Sequence, residues 1–340
     1  MSVQEQSRRA PTLEEVAAAA GVSRSTVSRV INGGAKVSPD VLRLVSETID
    51  RLEYTPNRAA RSLVKQQTMA IALVIPEDTN RFFGDPFFAS IVSGITQVLE
   101  DSDYVLNLQL TSPATPSAKT RRYLLGGNVD GAIVVSHHSG DEFFTRLDAT
   151  MPVVFGGRPF HPEQHDIHFV DVDNAAGAEL GVQHLISLGR RRIGYIPGPA
   201  DMQAAIDRTH GWRRAMRLSA LDDSLVEPGD FSASGGAAAM RRLLERAPDL
   251  DAVFAASDLT ASGAMGVLHD RGIRVPDDVA VVGFDDSPAA VRGEIGITTV
   301  RQPSLEMGRE MARMLLGLLR DDDAQRSRIM PTELVRRASA

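Results

Sequence analysis

The stretch Leu13-Glu-Glu-Val-Ala17-Ala-Ala-Ala-Gly21-Val-Ser-Arg-Ser-Thr-Val27-Ser-Arg-Val30 decides how this chain is read. Thr12 stands just before it and Glu15 three residues later, the spacing of a capping box in which hydroxyl and carboxylate each satisfy a free backbone N–H at a helix start. Gly21 supplies a turn without Cβ strain, and Ser23 opens a second helix that runs from Arg24 to about Ile31. Ala17 is small where that second helix must cross, and Val27 is a branched side chain suited to bury against the first. This is helix-turn-helix spacing, and such packing turns the N-terminal part of the second helix outward, toward a major groove. Arg24, Ser25 and Arg29 are the outward candidates for base edges; an Arg fork on guanine O6 and N7 is worth about 1–3 kcal/mol of discrimination. Thr26 and Ser28 are placed for phosphate, which positions without specifying. An ordinary helical hairpin shares this spacing, so the motif alone leaves both readings open.

Downstream, Ser38-Pro39 opens a third helix, with proline at the first helical position where its missing N–H costs nothing. Val41, Leu44, Val45, Thr48, Ile49 and Leu52 give it an apolar face at helical spacing. Tyr54-Thr-Pro56 breaks the pattern, and Asn57 can cap a short segment to Val64. Charge follows the same division. Residues 1–67 hold ten Lys/Arg against seven Asp/Glu, and the remainder holds 27 against 37, within a net charge of −7. A basic head on an acidic body suits a chain that meets phosphate at one end only.

From Met69 the texture changes. Met69–Ile75 is an apolar strand, and strands are predicted at Tyr104–Leu110, Val129–Val135, Pro152–Phe155, Ile193–Ile196, Ala252–Ala255 and Val279–Val282. Helices are predicted at Phe87–Leu99, Ala175–Leu188, Trp212–Ala220, Gly235–Ala247, Thr260–Arg271 and Leu305–Leu319, with a last strand at Met330–Val335. This alternation implies parallel sheets covered by helices on both faces. A body this long exceeds one such sheet, so two similar subdomains with a cleft between them are expected.

Composition excludes several classes. The 340 residues are 43% hydrophobic, ample for buried cores, yet hold no cysteine, which removes disulfides, thiol catalysis and the commonest structural zinc ligands. No run of about 20 apolar residues is present to span a membrane. The opening MSVQEQSRRAP lacks the apolar core of a secretory signal, so a cytoplasmic protein is expected. His161, His165 and His168 have loosely metal-like spacing but fall in a proline-containing connection, so a solvated loop is expected and no metal. Gly33-Gly-Ala-Lys36 lacks the spacing of a phosphate loop, and no nucleophile elbow or dinucleotide fingerprint follows a strand. His137-His138 follows a strand end, where His137 can line a cleft.

The segments Thr12-Leu-Glu-Glu-Val-Ala17, Gly21-Val-Ser, Thr26-Val-Ser-Arg-Val-Ile-Asn32, Val37-Ser and Tyr54-Thr-Pro-Asn57-Arg-Ala-Ala-Arg-Ser-Leu63 resemble the LacI/GalR family headpiece nearly end to end. Arg208 before Gly211-Trp212, Gly229-Asp-Phe231, Ala256-Ser-Asp258, Val282-Gly-Phe-Asp285-Asp286 and Thr298-Thr-Val-Arg-Gln302 follow in the family's order. The resemblance implies an all-α helix-turn-helix headpiece on an α/β periplasmic-binding-protein-like body of two doubly wound parallel-sheet subdomains. It implies DNA contacts from Thr12, Ser23, Asn32 and Tyr54 beside those read above. It also implies a hinge helix carrying Asn57, Arg58, Ala60 and Leu63, laid in the minor groove, with Leu63 as an apolar wedge that trades unstacking for a bend. In the body, the matched effector positions are Phe87, Phe88, Arg208, Phe231, Ser257, Asp285 and Gln302. Arg and Asp together suit a pair of neighbouring sugar hydroxyls, and a flat ring suits the C–H face of a pyranose. Ser257 departs from the family's frequent Asn, and Gly157 from an acidic contact in some members. The aromatic loop Asn80–Phe88 resembles sugar-responsive members of high-GC Gram-positive bacteria, including cellobiose- and maltose-type regulators.

The expected organisation is a headpiece over 1–56, hinge and linker over 57–68, and an effector and dimerisation domain over 69–340. Within that domain, the proximal subdomain is expected over 69–168 and 304–325 and the distal one over 169–298 and 328–340. The expected function is a homodimeric repressor on double-stranded, pseudopalindromic operator DNA, released by a small sugar or glycoside, with no cofactor and no heptad tail for a tetramer. The alternatives are a sugar-binding receptor module, which the headpiece argues against, and a sugar-modifying enzyme, for which no phosphate loop or convergent catalytic set is found.

Overall fold

The computed structural model describes residues 11–31, 37–54, 67–111, 118–140, 142–160, 167–322 and 325–340. The chain divides into two compact units, Met1–Thr68 and Met69–Ala340.

The first unit holds α1 (Leu13–Ala19), α2 (Arg24–Ile31) and α3 (Pro39–Leu52). The capping box forms: Glu15 N donates to Thr12 Oγ1 at 3.3 Å, and Thr12 N donates to Glu15 Oε2 at 2.7 Å. Val16, Ala17, Ala20, Val27, Val45 and Tyr54 close a small core. Leu44 corrects the expected apolar face of α3. It is 45% exposed, because it stands to one side of the stripe formed by Val41, Val45, Thr48 and Leu52.

In the second unit the elements alternate: β1 (Ala70–Ile75), α4 (Thr79–Gly84), α5 (Pro86–Leu99), β2 (Val105–Leu110), α6 (Ala118–Leu125), β3 (Gly131–Val135), α7 (Glu142–Leu147), β4 (Val153–Gly156) and β5 (His168–Val172). They continue as α8 (Asn174–Ser187), β6 (Ile193–Ile196), α9 (Gln203–Leu218), α10 (Ala233–Arg246), β7 (Ala252–Ala255), α11 (Asp258–Asp270) and β8 (Ala280–Asp285). After a 3-10 turn come β9 (Thr298–Arg301), α12 (Ser304–Leu318), β10 (Ser327–Met330) and β11 (Glu333–Val335). One sheet has the order β10-β5-β4-β3-β1-β2, the other β11-β9-β8-β7-β6. All pairings are parallel except β11 with β9, an antiparallel edge that the all-parallel expectation did not include. Each sheet is apolar on both faces, as parallel sheets must be; β1 is buried at every position.

Four differences from the sequence reading have local causes. β5 and β9 were not expected as strands: Asp171 interrupts the apolar run of one, and the other, Thr298-Thr-Val-Arg301, holds a single apolar residue. The helix expected from Trp212 begins at Gln203 and runs through Gly211, where a Cβ would stand 2.0 Å from the Ala175 carbonyl of α8. Glycine there serves close helix packing, not termination. The expected last strand is two strands separated at Pro331 and Thr332, and they join different sheets. The subdomain limits move accordingly: residues 169–172 and 328–330, expected in the distal part, belong to the first sheet. The chain therefore crosses between sheets at three places, after Val172, after Arg301 and after Met330.

Candidate functional site

The headpiece presents α2. Ser23 caps it, accepting from Thr26 N at 3.2 Å and sharing hydroxyl bonds of 2.8 Å with Ser25 and Thr26. Arg24, Ser25 and Arg29 are exposed, while Thr26 and Ser28 are half-buried. Arg24 pairs with Glu14 of α1 at 3.1 Å, and Arg29 Nε donates to Ser25 O at 3.3 Å. Both contacts are solvent-exposed and cheap to exchange for another partner. Thr12 spends its hydroxyl in the cap of α1. Tyr54 is placed differently from the rest: it is buried in the core with Val16 and Val45 and has little surface to offer a duplex. Asn32, Asn57, Arg58, Ala60 and Leu63 lie outside the described residues, as do His161 and His165.

The body holds a cavity of about 700 Å³, mouth included, at the carboxyl ends of the strands. Open α/β sheets expose backbone groups and loop side chains at that edge. All eight positions expected for the effector line it: Phe87, Phe88, His137, Arg208, Phe231, Ser257, Asp285 and Gln302. Phe87 and Phe88 come from the first turn of α5, whose N-cap Asp85 accepts from Phe87 N at 3.0 Å. Arg208 projects from α9, donating from Nε to Asn174 Oδ1 at 2.9 Å and from Nη1 to Ala256 O at 2.5 Å. Its guanidinium lies 3.6 Å over the Phe284 ring, and Nη1 stands 3.6 Å from Asp285 Oδ1. Gln302, on a crossover, donates to Asp285 Oδ1 at 2.6 Å. Ser257 spends its hydroxyl on α11, accepting from Thr260 N at 3.2 Å. Beside it Asp258 is fully buried and accepts from Thr299 Oγ1 at 2.6 Å and Ser287 N at 2.7 Å, a structural role.

Backbone strain gathers here. Ser136, Phe231 and Asp285 line the cavity with φ of 65°, 64° and 111°. Each such non-glycine conformation costs on the order of 1–3 kcal/mol, and it is tolerated where the surroundings over-determine a side chain's aim.

Several lining or bordering residues were missed by the sequence reading, and they tie the two subdomains together. Arg158, just past β4, donates from Nη2 to both carboxylate oxygens of Asp207 on α9, at 2.9 and 2.7 Å. His138 Nδ1 lies 2.9 Å from Asp201 Oδ2, and Ser139 N donates to Asp201 O at 2.8 Å. Arg81 of α4 donates to Asp230 O at 3.2 Å and stands 5.4 Å over the Phe231 ring. Asp171, at the end of β5, accepts from Arg158 N at 2.9 Å and Asn174 Nδ2 at 3.1 Å. The one available signal was position: each follows or ends a strand at the cavity edge.

Burial sets the electrostatics. It pushes Asp285 well above the ordinary carboxyl range despite the nearby Arg208, and it pulls Arg208 down, so the pair at 3.6 Å is a loose one. It raises Asp85 as well, and Asp171 to about 6. Burial, with His138 adjacent, lowers His137 to about 4, so that imidazole is neutral near pH 7.

Two family models match the chain: bacterial regulatory proteins of the lacI family over residues 12–57, and the periplasmic binding protein-like domain over 182–340. The HTH-type transcriptional regulator CelR of Thermobifida fusca is 45% identical over 336 residues, spanning 98% of this chain and 99% of its own. The chain belongs to the LacI family of bacterial regulatory proteins. A solved CelR–cellobiose complex is 43% identical, with a TM-score of 0.76, and the match spans 97% of this chain and 100% of that one. The lac repressor dimer bound to operator and the anti-inducer ONPF is 26% identical, with a TM-score of 0.86 over 97% of this chain and 99% of its own. This LacI-family chain is thus a DNA-binding transcriptional regulator and not an enzyme. Its fold is the family's headpiece and two-subdomain body. No helix among the described residues is long and apolar enough to cross a membrane.

Proposed function

We propose that this regulator is a cytoplasmic homodimeric repressor, holding a pseudopalindromic operator and leaving it when a neutral disaccharide of the cellobiose type fills the body's cavity. The observation that carries the reading is the convergence of Phe87, Phe88 and Phe231 with the Arg208–Asp285 pair on one cavity. Aromatic faces take the apolar side of a pyranose, and a guanidinium beside a carboxyl takes its hydroxyls. Likeness over nearly the full chain to a regulator solved with cellobiose supports the choice of sugar. The basic headpiece, with Arg24, Ser25 and Arg29 exposed on α2, supports base reading, and the hinge positions Asn57, Arg58, Ala60 and Leu63 complete the proposed DNA face. Two headpieces per dimer call for two half-sites about one helical turn apart, or a multiple of it.

Release follows if the sugar binds one angle between subdomains better than another. The links Arg158–Asp207, His138–Asp201 and Arg81–Asp230 span the gap whose width would change. The test is a thermal-shift screen of mono- and disaccharides on the purified protein, followed by operator binding with each hit. Cellobiose should raise the melting temperature and weaken binding to a site selected from the organism's own DNA. Failure to bind any duplex ends the proposal; an operator complex that cellobiose tightens reverses its sign.

A further inference from the structure

We infer that His137 reads a hydroxyl of the sugar from the proximal wall, and that the cavity rejects an anionic derivative of the same sugar. The inference rests on the effector reading above and deepens it. His137 Nε2 is buried without a hydrogen-bond partner, on a residue that is 7% exposed and lines the cavity. A buried polar atom left in that condition is unfavourable, and a ligand group that meets it recovers the loss. The ring is held in place by Phe155, 5.4 Å away between centroids. Gly157, at φ +95°, faces the ring edge: a Cβ there would stand 3.5 Å from His137 Cε1.

The charges that line the cavity point to the same ligand class. Arg158 is matched by Asp207, Arg208 by Asp285 with Asn174 and Ala256, and Arg81 by Glu77 at 3.2 Å and by Asp230 O. Among the described residues each of these guanidinia stands beside an acid or a carbonyl oxygen, although Arg81 Nε, buried beside Glu77, makes no hydrogen bond. Asp85, Asp171 and Asp285 line the same space, and their burial already makes ionisation hard. An anion entering would meet guanidinia already engaged with other partners, a neutral imidazole and carboxyls that must stay protonated beside it, so its lost hydration is poorly replaced. A hydroxyl can both donate and accept, so it satisfies a neutral imidazole in either tautomer.

The experiment is calorimetry on the full-length protein with cellobiose, cellobiitol and cellobionate. The last two share an open-chain end and differ in one carboxylate. Cellobionate should bind on the order of 100-fold more weakly than cellobiitol; binding within about threefold overturns the exclusion. H137F keeps a ring and removes both nitrogens, and should weaken cellobiose about tenfold, with H137Q recovering much of that. Thermal melting of each variant shows that it is folded at the titration temperature. Undiminished cellobiose binding by folded H137F overturns the role of His137. If the wild type binds none of the neutral sugars, the effector reading itself fails and takes the inference with it.

Discussion

Replacing Arg208 with alanine tests the cavity assignment most directly, because the side chain is 4% exposed and every partner can be counted. The variant loses the bond to Asn174 Oδ1 at 2.9 Å, the bond to Ala256 O at 2.5 Å and the stack on Phe284 at 3.6 Å. Hydrogen bonds to a charged group contribute about 1.5–3 kcal/mol each. The neighbouring Asp285 softens the loss: burial already favours its neutral form, so it can take up a proton instead of standing as an unpaired charge. A net destabilisation of about 3–4 kcal/mol follows, lowering the melting temperature by about 10 °C. In the complex, a buried charge-assisted bond to a sugar hydroxyl is lost, about 2–3 kcal/mol, or roughly 30- to 150-fold in affinity. Calorimetry gives the affinity, and anisotropy of a labelled operator gives the sugar concentration for half release. R208K, which keeps the charge but not the two-pronged fork, should fall between wild type and R208A. The half-release concentration should rise about a hundredfold while sugar-free operator binding stays near wild type. If folded R208A responds to sugar at wild-type concentrations, Arg208 does not hold the effector.

The remaining predictions concern other levels of the molecule. R29A should cost the operator about 1–3 kcal/mol and a non-specific duplex far less at the same salt, measured by competition binding; equal losses on both would end its base-reading role. Gly94 of α5 lies against α12, where a Cβ would stand 2.0 Å from the Leu305 carbonyl, so G94A must push two helices apart. It should cost at least about 2 kcal/mol in urea denaturation, and an unchanged midpoint would mean the crossing is loose. His137 titrates near 6.5 when unfolded and about 4 when folded, so the unfolded chain takes up its proton first and the native state loses stability as pH falls through that window. H137F removes the group from both states, so its stability relative to wild type should improve by up to about 3 kcal/mol between pH 7 and pH 4. A difference that stays flat with pH would place His137 in water.

What could be read from the chain alone was what is local. A capping box, a glycine turn, a small residue at a crossing and a proline at a helix start each act within a few positions, so the headpiece helices were legible almost to the residue. The cavity was legible differently. Arg208, Asp285 and Phe231 were found because matched segments carried them, not because any spacing brings α9, β8 and the turn before α10 together. The links across the cleft stayed hidden for a physical reason. Arg158 and Asp207 are 49 positions apart, His138 and Asp201 are 63 apart, and their meeting depends on the angle between two sheets, which no local pattern encodes. The exchange at Pro331 was missed because Ser327–Met330 and Glu333–Val335 are both short and neither announces which sheet it will join.

That exchange has a bearing on how the molecule is made. Each sheet takes an edge strand from the stretch between Ser327 and Val335, yet the first five elements of the body are synthesised more than two hundred residues earlier. During translation both halves must wait, one strand short, until this stretch has left the ribosome, and the two then become complete almost together. A gene fragment encoding one half as a continuous piece would lack part of its own sheet. Recombining halves between relatives therefore requires moving two separate segments at once.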